Sequence, residues 1–156
     1  MLHVIKRKLT RFMALPSADR GVFVSAAALM PLFRLAIRYP GLARFMNWIE
    51  GRTRCEPTRL ALPEVRALAR LVNQAGAHSP GGANCLTRSL LLKWLLLRRG
   101  VECQLRIGVR TTGKVLEAHA WIDYEGEPIN DRPENCAAFT AFEKPISFAP
   151  AAKHFL

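Results

Sequence analysis

The sequence predicts an α+β fold in which N-terminal helices precede a core of one central helix packed on an antiparallel sheet. In the first half of the chain apolar residues recur at helical spacing, and residues 86–97 are apolar on almost every side. From Cys103 onward the apolar residues fall at every second position instead, which is typical of strands. Helices followed by strands, rather than alternating with them, favour an antiparallel sheet.

Composition places the chain among folded proteins with a basic surface. Its 156 residues suffice for one domain, and 50% of them are hydrophobic, which excludes global disorder. The formal net charge of +11 is compatible with nucleic acid, an anionic membrane or an acidic peptide as partner, and equally with a solvated basic surface. Since no nucleic-acid motif occurs and the aromatic residues form no stacking platform, a nucleic-acid partner is not expected.

Four helices are predicted in the N-terminal half. An amphipathic basic helix covers Leu2–Leu15, and a second helix runs from a cap at Ser17 or Asp19 to about Tyr39, with a kink at Pro31. The third and fourth helices are shorter and follow proline-containing breaks.

The apolar part of the second helix bears on membrane insertion. Its uncharged run, Gly21–Phe33, is shorter than the roughly 20 residues that span a membrane, so it predicts a buried helix and no membrane span. The third helix is predicted at Leu42–Glu50, and the fourth starts at Pro63 and runs to about Gln74.

A glycine-rich loop at residues 75–83 divides the chain. It separates a helical part, residues 1–75, from the part that holds the candidate catalytic residues, residues 76–156. We expect the two parts to form one compact unit. The segment Leu86–Leu97 then predicts a buried central helix that ends at Gly100.

Two long strands and a short one follow the central helix. The first is predicted at Glu102–Arg110 and the second at Val115–Tyr124, with both faces of the second strand covered. A turn at Glu125-Gly126 leads into a third strand at Pro128–Asp131. The residues beyond it predict no element.

The spacing of the cysteines bears on the cellular compartment of the protein and on whether it has a metal site. None of the four lies within four residues of another, so no C-x-x-C motif exists; they are Cys55, Cys85, Cys103 and Cys136. Because the N-terminus has no secretion signal, we expect reduced thiols in the cytoplasm. A zinc site built from Cys85, His119 and a third ligand has no spacing to support it, so neither a metal nor another cofactor is expected.

Cys85 and His119 are the candidate catalytic pair. Cys85 lies at the start of the central helix, directly after Asn84, which is the candidate for its cap. The N-terminus of a helix stabilises a thiolate and an oxyanion. Each residue alone is as easily a structural one, Cys85 as a small buried hydrophobe and His119 as a hydrogen-bonded strand residue. Their occurrence together favours a nucleophile and its base.

A carboxylate or amide would orient the imidazole, and three residues could supply it. Asp123 lies about 13 Å along the strand from His119, which is too far for a hydrogen bond. Asp131 shares the face of His119 if the hairpin loop holds an odd number of residues, and Asn130 does so if the loop holds two. We prefer Asp131, although parity alone does not decide.

These motifs resemble those of the lasso peptide biosynthesis B2 proteins, which are transglutaminase-like (papain-like) cysteine peptidases. The resemblance lies in Asn84–Leu92, Arg98–Val101, Ile107–Arg110 and Ala118–Ile122, with Gly126 and Asn130-Asp131 behind them. It implies a transglutaminase-like core in which Cys85 is the nucleophile, His119 the general base and acid, and Asp131 the residue that orients the imidazole.

The resemblance also implies a substrate and partners. The substrate would be the leader of a lasso peptide precursor, recognised with a separate B1-type leader-recognition protein, and the product would pass to a lasso cyclase. Trp121 and Asn84 are weaker candidates for substrate contact, and Gln74 and Asn84 are the only nearby amides that could hold an oxyanion.

Two other functions remain open. An acyltransferase or amidase of the same fold would use the same three residues and resolve the acyl-enzyme with another acceptor. A non-enzymatic binding protein would instead use the basic segments Leu2–Leu15 and Leu32–Phe45, with the three residues incidental.

Overall fold

The computed structural model describes residues 13–52 and 56–142. The helix predicted at Leu2–Leu15 lies almost entirely outside these residues. The described part contains five helices, which are α1 (Ser17–Arg38), α2 (Leu42–Arg52), α3 (Leu62–His78), α4 (Cys85–Leu97) and α5 (Pro133–Ala137). It also contains four strands, which are β1 (Gln104–Thr112), β2 (Val115–Tyr124), β3 (Glu127–Pro128) and β4 (Thr140–Ala141). The α+β prediction is confirmed.

Helix α1 begins at Ser17 itself, so Ser17 cannot be the residue that caps it. Pro16 occupies the cap position without a capping hydrogen bond, and Ser17 and Asp19 already lie inside the helix, so the predicted cap is wrong. Pro31 lies within the helix and cannot donate to the carbonyl of Ala27. The hydroxyl of the buried Ser79 donates to that carbonyl instead, at 3.3 Å, and this bond ties α1 to the end of α3.

The prediction that this second helix is buried is wrong for most of its surface. Only Ala26, Met30 and Phe33 are buried, whereas Leu32 and Leu35 are more than half exposed. By length and composition alone, α1 is also the one helix among the described residues that could cross a membrane, and 17% of its apolar window is buried inside the protein.

Helix α3 begins at Leu62, one residue before the predicted start at Pro63, and runs further than expected. Its start is stabilised by Glu64, whose carboxylate accepts the N–H of Ala61 at 3.0 Å. The helix continues to His78, so the division drawn at residue 75 falls inside it. One apolar cluster joins α1, α3, α4 and the sheet across that division.

Helix α4 is the buried central helix that the sequence predicts. Its leucines Leu90, Leu91, Leu92 and Leu96 are fully buried between the sheet and the other helices. Gly100 ends the segment with φ of 73°, and a Cβ there would lie 2.0 Å from the carbonyl oxygen of Glu56. Only glycine combines this conformation with so close an approach of the preceding chain.

The sheet is antiparallel with strand order β3-β2-β1-β4. The two long strands pair in a register that places Gly108 opposite His119, and Gly113 and Lys114 form the turn between them. Both strands are confirmed, with the first extended by two residues to Thr112. The expectation that both faces of β2 are covered fails at its start, where Val115 and Leu116 are exposed.

The third strand is shorter than predicted. β3 comprises only Glu127 and Pro128, and the chain leaves the sheet after one further backbone bond, from the N–H of Ile129 to the carbonyl of Ile122 at 3.0 Å. The loop before it holds two residues, Glu125 and Gly126, with φ of 52° and 85°. Two positive φ values in a two-residue loop are typical of a type I′ hairpin.

Candidate active site

Cys85 is the first residue of α4 and is half-buried. The side-chain oxygen of Asn84 caps this helix by accepting from the backbone N–H and the hydroxyl of Thr87, both at 2.8 Å. The sulfur is therefore attached at the positive end of a capped helix. The backbone N–H of Cys85 lies in the first turn, where no intrahelical acceptor is available to it.

His119 lies on β2 and is bonded to Asp131. Its Nε2 lies 2.6 Å from the Oδ2 of Asp131. The ring is flanked by Phe139 and Trp121, with ring centroids 5.1 and 5.9 Å away. These contacts hold the plane of the imidazole, and because Nε2 is occupied by the carboxylate, Nδ1 is the nitrogen left for other chemistry.

Gly108 makes room for this arrangement from the neighbouring strand. A Cβ at this position would lie 2.9 Å from the Cβ of Phe139 and 3.0 Å from the Cη2 of Trp121. Because Gly108 pairs with His119 in the β1–β2 register, a larger residue there would displace the two rings that flank the imidazole.

The carboxylate of Asp131 is held in its charged form. Burial alone would raise its pKa, but hydrogen bonds to the carboxylate outweigh burial and leave the pKa below its usual value. These bonds come from the side chain of Asn135 at 3.0 Å, the backbone N–H of Arg132 at 2.7 Å, and His119. Asp131 therefore offers a negative charge to the imidazole at neutral pH.

The three residues line a single cavity of about 140 Å³ between α4, β2 and the segment after β3. Its lining consists of Asn73, Cys85, Arg88, His119, Ala120, Asn130 and Asp131. The structure thus brings together the predicted cysteine, histidine and aspartate. Asp123 lies elsewhere, where its carboxylate accepts the indole N–H of Trp121 at 2.9 Å.

Asn130 does not lie on the face of β2 that carries His119. A two-residue loop would put Asn130 on the face of His119 if the strand continued. Because the chain leaves the sheet after Ile129, Asn130 turns towards α4, and its side-chain oxygen accepts the N–H of Ile122 at 2.8 Å. Asp131 is then the residue that reaches His119.

A buried polar network lies behind the cavity. The amide nitrogen of Asn130 donates to the hydroxyl of Ser89 at 2.9 Å, and that hydroxyl donates to the carbonyl of Ala120 at 3.0 Å. Asn73 donates to the backbone oxygen of Asn130 at 2.7 Å. Ser89 and Asn73 were missed in the sequence, although a serine inside an otherwise apolar helix was the available signal for Ser89.

The weaker site candidates lie at the margin of the cavity or outside it. Trp121 is 4% exposed and stacks on His119 without lining the cavity. The side-chain oxygen of Asn84 is engaged in the helix cap, and Gln74 is exposed on α3. A substrate contact by Trp121 or Asn84 stays a prediction. Asn73 is the amide from α3 that lines the cavity.

Arg88 adds a cation to the cavity. Its Nε lies 3.4 Å from the carbonyl oxygen of Asn84, and no acidic side chain among residues 13–52 and 56–142 forms an ion pair with it. The stem packs against Gly76, where a Cβ would lie 2.7 Å from the Cδ of Arg88. The guanidinium therefore places a positive charge one helical turn from Cys85.

The other described cysteines are poor nucleophiles. Burial raises the pKa of Cys103 to about 11, against a smaller opposing effect of Lys93. Burial and then the negative charges of Asp131 and Asp123 raise the pKa of Cys136 to about 12. Within the described ranges no three His, Cys, Asp or Glu side chains form a group able to hold a metal ion. Cys55 lies outside those ranges.

Comparison with known protein families identifies the class of protein to which this fold and cavity belong. Residues 29–144 match the model of the transglutaminase-like superfamily. Since this match covers more than half of the chain, the protein belongs to the transglutaminase-like superfamily, and the predicted transglutaminase-like core is confirmed.

One curated protein is similar to part of this chain. The chain is 41% identical over 51 residues to the microcin J25-processing protein McjB of Escherichia coli. The match covers 33% of this chain and 24% of that protein, so the chain spans about a quarter of the length of the relative it matches. No solved structure matches. The two matches bear out the family resemblance drawn from the sequence.

Proposed function

We propose that this protein is a cysteine peptidase that removes the leader from a lasso peptide precursor. The observation that carries the proposal is the convergence of Cys85, His119 and Asp131 on one cavity, with His119 bonded to Asp131 at 2.6 Å. The superfamily match and a relative named as a processing protein support the same reaction class.

In the first half of the reaction, Asp131 holds Nε2 of His119, and Nδ1 takes the proton of the Cys85 thiol. The thiolate attacks the carbonyl carbon of the scissile amide, forming a C–S bond and a tetrahedral oxyanion. The C–N bond then breaks as protonated His119 gives its proton to the leaving amine. The products of this half are a free amine and a thioester on Cys85.

In the second half, water replaces the amine. His119 removes a proton from the water, the hydroxide adds to the thioester carbonyl, and the C–S bond breaks. The sulfur recovers the proton from His119, and the leader leaves as a carboxylic acid. Atoms and charges balance without a cofactor.

The N-terminus of α4 would stabilise the oxyanion. The backbone N–H of Cys85 and the helix dipole act in a half-buried site, where they need not reorganise during the reaction. Arg88 would add positive charge in the same cavity. An amide donor would be available if Asn73 exchanged its bond to Asn130 for one to the substrate.

The partners of such a peptidase belong to the proposal. We infer that a separate B1-type recognition protein presents the leader, that the product passes to a lasso cyclase, and that the reaction takes place in the cytoplasm. The basic surface suits acidic segments of the precursor or of the recognition protein.

Replacement of the nucleophile tests the proposal. Cys85→Ala should abolish cleavage of the precursor, followed by mass spectrometry in the presence of its recognition protein. Cys103→Ala is the matched control, because it removes a thiol of raised pKa outside the cavity and should leave cleavage intact. Normal cleavage by folded Cys85→Ala would end the peptidase proposal.

An acyltransferase is the second candidate, favoured by the superfamily match. The same thioester would then be resolved by an amine rather than by water. Incubation of the protein, precursor and an excess of a primary amine separates the two functions by product mass. Amide products at the expense of acid would support the transferase.

A further inference from the structure

Helix α1 carries a second apolar face that points away from the core. A row of exposed uncharged residues runs along it at intervals of three and four, and its members are Gly21, Ser25, Ala28, Leu32, Leu35 and the capping residue Tyr39. The exposed Val24 and Pro31 lie beside this row. The buried residues Ala26, Met30 and Phe33 lie on the opposite side of the helix. Alternating intervals of three and four form the seam along which two helices pack, and in the described part of the chain only the inner seam is filled.

The outer seam leads into an apolar groove between α1 and α2. The groove has a volume of about 480 Å³, and its lining consists of Leu32, Phe33, Ala36, Pro40, Arg44, Phe45 and Trp48. Leu32 and Leu35 are 58% and 53% exposed, and Trp48 is 43% exposed. A concave apolar groove at the end of a helical seam suits the large side chains of an incoming helix.

Positive charge lies at the C-terminal end of the outer seam and in the groove. Arg38 closes the last turn of α1, Arg44 lines the groove, and the guanidinium of Arg52 lies 5.7 Å from the ring centroid of Trp48. Glu50, the acidic residue of α2, pairs with Lys93 at 3.3 Å. Asp19, the acidic residue of α1, lies at the far end of that helix.

Charge selects among the possible occupants. A second copy whose α1 packs parallel to this one would bring these same arginines against each other, and the basic N-terminal residues 1–12 would add further positive charge beside them. An acidic helix would instead place carboxylates beside Arg38 and Arg44, as flanking charges do in paired helices.

We propose that the outer seam of α1 and the adjoining groove, together termed the α1 docking surface, bind an acidic amphipathic helix of a partner protein. Its apolar residues would follow the intervals of three and four along α1, with one large side chain in the groove. None of the residues lining the groove lines the cavity that holds Cys85. The proposal therefore does not rest on the peptidase activity, and binding would leave the cavity open.

Binding of synthetic helices tests the surface. The probe is a fluorescent amphipathic peptide of about 18 residues with leucines at those intervals and flanking glutamates, and a second peptide carries lysine in place of glutamate. The glutamate peptide should bind the full chain, measured by fluorescence anisotropy, and more weakly as salt rises. The double variant Leu32→Glu with Leu35→Glu should weaken binding by at least about tenfold.

The controls match exposure and charge. Val115→Glu with Leu116→Glu changes an equally exposed apolar pair on the β1–β2 hairpin and should bind as the natural protein does. Arg38→Glu with Arg44→Glu should lose the glutamate peptide and gain the lysine peptide. This exchange of preference would not follow from partial unfolding.

Four results would overturn the proposal. The first is that neither peptide binds, and the second is that both peptides bind the natural protein equally well. The third is that sedimentation shows a dimer and that the double variant Leu32→Glu with Leu35→Glu is a monomer. This result would assign the surface to a second copy. The fourth is that the natural protein binds no peptide but sediments with phosphatidylglycerol vesicles, and that the double variant Leu32→Glu with Leu35→Glu does not. This result would assign the surface to a membrane.

Discussion

Asn130 donates a hydrogen bond from its amide nitrogen to the hydroxyl of Ser89 at 2.9 Å. This bond joins the residue before Asp131 to the helix that begins with Cys85. Ser89 also donates to the carbonyl of Ala120, the residue after His119, at 3.0 Å. One buried hydroxyl therefore links the elements that carry all three candidate catalytic residues.

Removal of this hydroxyl should cost both stability and activity. In Ser89→Ala the carbonyl of Ala120 and the amide of Asn130 lose a buried partner, which we expect to lower the free energy of unfolding by about 1–3 kcal/mol. Urea denaturation measures this loss. Cleavage of the precursor should fall by about tenfold or more even where the variant is folded, because the reacting groups lose their alignment.

A serine outside the network provides the control. Ser25→Ala changes an exposed residue of α1, so it should not lower stability, which helix propensity would raise by at most about 0.5 kcal/mol, and it should leave cleavage unchanged. Full activity of folded Ser89→Ala would show that the network does not set the geometry of the cavity.

Replacement of the aspartate should change both catalysis and the dependence of stability on pH. Because the pKa of Asp131 in the folded state lies below its usual value, its charge adds stability that is present above about pH 4 and is lost as pH falls through the folded pKa. Asp131→Asn should therefore be less stable than the natural protein at pH 7, and the difference should shrink in acid. Denaturation across a pH series measures this.

The activity of Asp131→Asn carries the second part of the prediction. We expect slower cleavage together with a displaced pH profile, since the carboxylate that stabilises the imidazolium is gone. A stability difference that stays constant down to pH 2 would contradict the assignment of the charge.

Gly108→Ala should disturb the imidazole from the neighbouring strand. The added methyl group would meet the Cβ of Phe139 at 2.9 Å and the ring of Trp121 at 3.0 Å, so the rings beside His119 must move. We expect a loss of stability of about 1–3 kcal/mol and slower cleavage. Thermal denaturation and a cleavage assay check the two effects.

Gly51→Ala is the matched control for that substitution. A Cβ at Gly51 meets nothing within 4 Å, and the residue lies in α2. Its replacement should raise stability by about 0.5–1 kcal/mol through helix propensity and leave cleavage unchanged. Equal behaviour of the two variants would argue against a role of Gly108 in holding the rings.

The thiols should differ in their reactivity. At pH 8 Cys103 and Cys136 remain protonated, because their pKa values are about 11 and about 12, whereas Cys85 is half-buried at a helix N-terminus. Brief treatment with iodoacetamide should label Cys85 well before these two thiols, as peptide mapping by mass spectrometry would show. Earlier labelling of Cys103 would contradict the assigned order.

The long elements follow from local patterns. Residues 86–97 form the central helix because leucines on nearly all sides favour burial, and β1 and β2 follow the alternation after Cys103. The exposure of α1 could not be predicted in this way, because an apolar helix has the same sequence pattern whether its outer face is covered by the protein, by a partner or by water.

The sequence by itself determined that Cys85 opens a helix and that His119 lies on a strand, because both placements depend on residues within a turn or two. Only the tertiary structure decided between Asn130 and Asp131. The two-residue loop would have turned Asn130 towards His119, but the chain leaves the sheet after Ile129, and Asn130 is bound to Ile122 and Ser89 instead. These partners lie 8 and 41 positions away in the chain, and no local pattern encodes a bond between residues that only the packed core brings together.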